Sequence, residues 1–137
     1  MKRICFLATN RVHLSRQKLL LDELRKHFEV DIFEPTTKVG NMAVTSILYA
    51  VEFNNYLSTK TIDCVLVRGD RYELLPMAAV AVYRGIKIIH IEGGDLSGVV
   101  DNKVRHAITQ LSDHHFCTNE ESHARLVSMG CKVDTVF

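Results

Sequence analysis

Neither sign of charge dominates this sequence. Its 17 basic and 16 acidic side chains leave a formal net charge of +1 at pH 7. No polybasic run stands out, which removes the electrostatic footprint of a nucleic-acid binder or of a protein held at an anionic membrane. Long apolar runs are missing as well, and no segment approaches the roughly 18 apolar residues that a membrane span needs. The apolar run near the start, in Met-Lys-Arg-Ile-Cys-Phe-Leu-Ala-Thr-Asn, is about six residues long. That is short for a secretion signal and suits a buried first strand. The cysteines (Cys5, Cys64, Cys117 and Cys131) are scattered, with no CxxC and no metal-ligand spacing with histidine. They read as free thiols in a reducing cytoplasm, and neither a metal nor a cofactor is expected. There is no GxGxxG or GxxxxGK[ST], so a dinucleotide fingerprint and a P-loop are both absent. No GxSxG elbow appears either. No repeat, low-complexity tract or linker divides the 137 residues, which fit one domain with a real core.

What is present is a regular alternation of apolar runs and amphipathic stretches, the pattern of an α/β fold. Ile4–Ala8 reads as the first strand, and Ser15 as the cap of a helix reaching about His27, with Leu19, Leu20 and Leu24 inward. Val30–Phe33 is a second strand. Spacing predicts a helix over 41–57 whose inner stripe is Val44, Ile47, Leu48, Val51 and Tyr56. Ile62–Val67 is nearly all apolar, as a parallel strand buried on both faces should be. A helix follows, with its first turn near Leu75, where Pro76 is tolerated, and it stops at Gly85. Ile86–Ile91 is the next strand, and a loop at Gly93-Gly94 leads to a helix over 101–112. His115–Thr118 and Lys132–Phe137 are further strand candidates around a helix at 120–129. The expectation is one Rossmann-like parallel sheet with helices on both faces and right-handed crossovers.

In such sheets ligands sit beyond the carboxyl ends of the strands. Four groups of polar residues fall there: Asn10-Arg11, Asp70-Arg71, Glu92, and Asp101 on the following helix. Several carboxylates and arginines around one crevice suit acid/base work on an anionic substrate. Asp70 also fits a turn or helix-capping role. Glu92, at the end of Ile-Ile-His-Ile, is costly to bury unless something uses or pairs it. Asp101 and Arg105 stand four apart on one helical face, which an i,i+4 ion pair would explain equally well. Arg11 and Ser15 bracket a helix entry, where backbone N–H groups attract phosphate. His90 reads as a satisfied strand histidine, and His114-His115 point to opposite faces of a strand, so they cannot chelate together.

Gly-Asp-Arg-Tyr-Glu-Leu-Leu (69–75), Ile-His-Ile-Glu-Gly-Gly-Asp (89–95), Asp-Asn-Lys-Val-Arg-His-Ala-Ile-Thr (101–109) and Leu-Ser-Asp-His-His-Phe (111–116) resemble the hydrolysing UDP-N-acetylglucosamine 2-epimerases in order and spacing. Glu-Gly-Gly resembles the hydrolysing branch, where the other branch typically carries Glu-Ala-Gly. The likeness implies one Rossmann half of a glycosyltransferase-B fold, with the second domain absent from this chain. It also implies a UDP-sugar substrate and a homo-oligomer. The implied reaction converts UDP-N-acetylglucosamine and water to N-acetylmannosamine and UDP by elimination and then hydration, a step that feeds sialic acid biosynthesis. By position, Asp70, Glu92 and Asp101 would be the acid/base residues, and Arg11, Ser15, Arg71 and Arg105 the substrate contacts. Asn102 stands where a second aspartate is common, and Val12-His13-Leu14 replaces the usual triplet. The competing expectation is a non-catalytic half-domain that binds a sugar nucleotide or another protein. A receiver or flavodoxin-like reading, suggested only by length, fails because the sequence lacks the acidic pair expected after strand one of a receiver and any phosphate loop for FMN.

Overall fold

The computed structural model describes residues 1–37 and 40–137, and every side chain among them except that of Arg11. Five strands form one sheet: β1 (Arg3–Leu7), β2 (Glu29–Phe33), β3 (Cys64–Arg68), β4 (Lys87–Ile91) and β5 (His114–Phe116). Their order is β2-β1-β3-β4-β5, and every neighbouring pair is parallel. The expected fold class is therefore the observed one. In this order the chain reverses direction across the sheet between β1 and β3, which opens a crevice beyond their carboxyl ends.

Alternate side chains of the central strands supply two cores, as period-two pleating requires. Cys5, Leu7, Val65, Val67 and Ile88 pack under α3 (Met42–Leu57), α4 (Leu74–Tyr83) and α5 (Val99–Leu111). Ile4, Phe6, Ala8 and Leu66 meet Leu21 of α2 (Lys18–Leu24) on the other side. Burial pushes the Cys5 thiol up to about 12 and that of Cys64 up to about 11. Both are inert packing groups. Pro76 falls in the first turn of α4, and Gly85, at φ +71°, follows its end, as expected.

Three expectations need correction. The predicted helix from Ser15 to His27 is two helices, α1 (Arg11–Ser15) and α2. Asn10 caps the first, accepting from the His13 N–H at 2.8 Å, so Ser15 is its last residue and not a cap. Gln17 turns inward between the two helices, only 3% exposed, and Leu19, expected inside, is 85% exposed.

The inner face of α3 is Thr45, Tyr49, Phe53 and Leu57, while Val44, Ile47, Leu48 and Val51 of the predicted stripe are exposed. Two stripes compete on this apolar helix. The aromatic one wins because Phe53 and Tyr56 pack on Phe33, with ring centroids 5.0 and 4.9 Å away.

The predicted last strand is mostly a 3₁₀ turn at Val133–Thr135, with only Val136 bridging to His115. The Thr135 hydroxyl closes that turn on the Lys132 carbonyl at 2.7 Å. The last helix, α6 (Glu120–Ser128), lies against the loop that follows β4: Arg125 Nη1 donates to the Gly94 carbonyl. A Cβ on Gly94 would collide with the Ser122 carbonyl, and φ there is +83°, so only glycine fits.

Candidate active-site cleft

A cleft of about 670 Å³ occupies the crevice between β1 and β3. Its walls come from three chain segments: Asn10 to Gln17 beyond β1, Arg68 to Arg71 at the end of β3, and Glu92 beyond β4. Asp70, Arg71 and Glu92 thus share one opening.

Arg105 stands behind Asp70. It is buried, and its Nη2 donates to Asp70 Oδ2 and, at 3.0 Å, to Ser97 Oγ. Its Nη1 donates to the Asp95 carbonyl at 2.7 Å and to Asn102 Oδ1 at 3.0 Å, while Nε has no partner among the described residues. One guanidinium therefore draws the β3 end, the 95–97 loop and α5 together, with fork geometry that a lysine lacks. Among the described residues no ion pair joins Arg105 to Asp101. Asp101 is exposed in the first turn of α5 and lies outside the cleft lining, with one carboxylate oxygen near Gly98. Ser15 is exposed and donates to the Val12 carbonyl at 3.0 Å. Arg11 opens α1, but its side chain lies outside the described part of the molecule.

Glu92 has φ +72°, in the left-handed region that a side chain enters at a cost of roughly 1–2 kcal/mol. Its N–H donates to the Phe116 carbonyl at 2.9 Å, which fixes the backbone there. A glycine would satisfy this conformation without strain, so a carboxylate kept here points to use. Glu92 Oε1 accepts from Arg68 Nε at 2.8 Å, and Arg68 Nη1 donates to Gln17 Oε1 at 2.6 Å.

Two histidines support the walls. His90 is fully buried; its Nε2 donates to the Gly69 carbonyl at 2.9 Å, and Nδ1 lies 3.3 Å from Thr109 Oγ1. The carbonyl can only accept, so Nε2 carries the proton and Nδ1 takes the threonine's. Burial lowers the His90 pKa to about 4, which keeps the ring neutral. This is the satisfied strand histidine that its alternation with apolar residues suggested, and it holds the peptide just before Asp70. His13 lines the cleft itself, with its pKa lowered chiefly by burial. Arg71 pairs at 2.9 Å with Glu73, which is buried at the start of α4. Nothing in the sequence singles out Arg68 or Gln17, and His13 stands out there only as part of a triplet that departs from the resemblance. Gln17 looks like any helix glutamine until the break between α1 and α2 is seen. Among the described residues no group of three His, Cys, Asp or Glu is placed to hold a metal ion, and no helix is long and apolar enough to cross a membrane.

A protein-family model described as UDP-N-acetylglucosamine 2-epimerase matches residues 9–137. The chain belongs to that family. A Legionella pneumophila relative named UDP-N,N'-diacetylbacillosamine 2-epimerase (hydrolyzing) is 45% identical over 85 residues, which are 62% of this chain and 22% of the relative. An Escherichia coli relative named polysialic acid biosynthesis protein P7 is 35% identical over 109 residues, covering 79% of this chain and 28% of the relative. The match thus spans less than a third of either curated protein. A solved Rickettsia bellii UDP-N-acetylglucosamine 2-epimerase superposes with a TM-score of 0.91 at 20% identity, over 100% of this chain and 44% of that one. At that identity the likeness is one of fold, and it is the Rossmann half of a glycosyltransferase-B fold that the motifs implied.

Proposed function

We propose that this chain is the amino-terminal domain of a hydrolysing UDP-sugar 2-epimerase, acting with a second Rossmann domain that completes the nucleotide site. The observation that carries the reading is the meeting of Asp70 and Glu92 at one cleft, with Arg71 on its wall. The reaction breaks the C1–O bond with departure of UDP while a carboxylate takes the C2 proton, leaving a glycal. Water then adds across that double bond and yields the 2-epimer of the free sugar. The C2 proton is barely acidic, so a placed base and a held leaving group are both required. Asp70 and Glu92 are the acid/base residues of the cleft in this reading, with Asp101 a third candidate that stands outside its lining, and Arg11, Ser15, Arg71 and Arg105 act on the substrate directly or through their neighbours.

The substrate is UDP-N-acetylglucosamine and the product N-acetylmannosamine, a precursor for sialic acid biosynthesis. The name of the Escherichia coli relative supports that direction. The name of the Legionella relative favours a second substrate, UDP-N,N'-diacetylbacillosamine, within the same chemistry. Free cysteines support a cytoplasmic setting. The exposed, nearly uncharged face of α3 supports a homo-oligomer.

The test is turnover of both UDP-sugars by the complete protein, followed as UDP release and free-sugar product. Conversion of one of them, abolished in Glu92→Gln, is expected, and the 137-residue chain alone should release little UDP. Binding of UDP-sugar with no turnover by the complete protein would instead make this a non-catalytic sugar-nucleotide module.

A further inference from the structure

Glu92 is held from two directions. Its main chain is fixed by the Phe116 carbonyl on one side. On the other, Gly93 lies so close to His90, Thr109 and Leu126 that a Cβ there would come within 3.1–3.3 Å of each. The side chain is fixed separately, by Arg68. That arginine uses Nε for Glu92 Oε1 and Nη1 for Gln17 Oε1, and Gln17 Nε2 in turn donates to the His13 carbonyl at 3.2 Å. The chain Gln17–Arg68–Glu92 therefore crosses the crevice from the α1–α2 break to the end of β4, with all three residues on the cleft wall.

The two oxygens of Glu92 are not equivalent. Oε1 is taken by Arg68. Oε2 has no hydrogen-bond partner among the described residues and faces Gly69, 3.8 Å from where a Cβ on that residue would stand. Gly69 precedes Asp70, so the free oxygen lies on the side of the other cleft carboxylate. Arg68 commits Nε to Glu92 and Nη1 to Gln17, and these two bonds fix the plane of its guanidinium.

We infer that Arg68 is a positioning residue: it clamps Oε1 of Glu92, with Gln17 as its anchor, so that Oε2 is the oxygen that meets the sugar. This rests on the epimerase reading above. A planar fork bridging two acceptors is what the clamp requires, and an ammonium group cannot reproduce it.

The experiment compares Arg68→Lys, Arg68→Ala and Gln17→Leu with Glu92→Gln in the complete enzyme, with thermal melts as a check of folding. Misplacement of a reacting group by about 1 Å costs on the order of 100-fold. Arg68→Lys is expected to lose about that much in kcat, with KM for the UDP-sugar changed by about 2-fold or less. Arg68→Ala should recover activity with added guanidinium, and Gln17→Leu should lose about 10-fold. A raised KM with kcat preserved in Arg68→Lys would identify a phosphate contact and overturn the proposal, as would unchanged kinetics. Arg68→Lys keeps charge and stem, and carries the test if Arg68→Ala does not fold. A crystal structure of the Arg68→Lys variant supplies a readout independent of turnover. A displaced Glu92 carboxylate supports the clamp, and an unmoved one refutes it. Full turnover by Glu92→Gln would defeat the epimerase role of Glu92 while leaving that crystallographic comparison intact.

Discussion

Arg105 and Asp70 are 35 residues apart in the chain and form an ion pair in which the arginine side chain is only 6% exposed and the aspartate 26%. The pair is an internal strut of the cleft wall. Removing Arg105 strands the Asp70 charge and takes the arginine's bonds from the Asp95 carbonyl and Ser97. Arg105→Met should therefore destabilise the domain by about 3 kcal/mol in urea unfolding. Asp70→Asn in the same background should restore part of that loss. A loss below about 0.5 kcal/mol, the scale of ordinary surface changes, would show that the pair carries no structural weight.

Glu92 invites the opposite outcome. Relief of the left-handed strain at φ +72° should make Glu92→Gly more stable by up to about 1 kcal/mol, while turnover in the complete enzyme falls. Thermal denaturation beside an activity assay reads both. A less stable, fully active glycine variant would contradict the strain argument and the functional reading together.

Gly94, in the loop beyond β4, should differ sharply from Gly130. Gly94→Ala places a methyl against the Ser122 carbonyl and should cost about 3 kcal/mol or more. Gly130, at φ +97°, has open space around it, so Gly130→Ala should cost only the backbone term of about 1 kcal/mol. Equal losses in chemical denaturation would remove the role assigned to the α6 contact.

Acid should weaken this fold through His90. Its folded pKa, about 4, lies below the ordinary 6.5, so the unfolded chain binds the extra proton first. Its contribution is therefore fully present above pH 6.5 and is lost as pH falls toward 4, roughly 3 kcal/mol in total. His13, His106 and His115, also lowered by burial, act in the same direction. Stability measured from pH 7 to 4 should fall less steeply in His90→Gln. An unchanged slope would mean that the ring is not kept neutral by the fold.

The two faces of α3 offer a direct check on packing. Phe53→Ala should cost about 3–5 kcal/mol, whereas Ile47→Lys, on the exposed face, should stay within about 0.5 kcal/mol. A large loss at Ile47 in a monomeric preparation would reverse the assignment of that helix.

The alternation of apolar runs made the parallel sheet legible, because strands buried on both faces have no polar positions to obscure them. Asp70, Arg71 and Glu92 were legible for the same reason: each follows such a strand. Helix faces were harder to read. α3 is apolar around most of its surface, and choosing its inner stripe requires knowing that Phe33 waits on β2. The partners of Arg105 were hidden because they depend on loops that fold back across the sheet end. Asp101, four residues away, was the natural sequence partner, yet the pairing goes to Asp70. Gln17 and Arg68 had no signal of their own, since their meeting follows from the crossing of two segments 51 residues apart.

The internal strut also bears on how such a scaffold changes over generations. The β3 and β4 side of the crevice is cross-tied from within, so mutations there register first as loss of fold. Val12 and Arg16, on the opposite rim, are exposed and reach the same opening. Substitutions on that rim have more freedom, because residues can be exchanged there without loosening the floor.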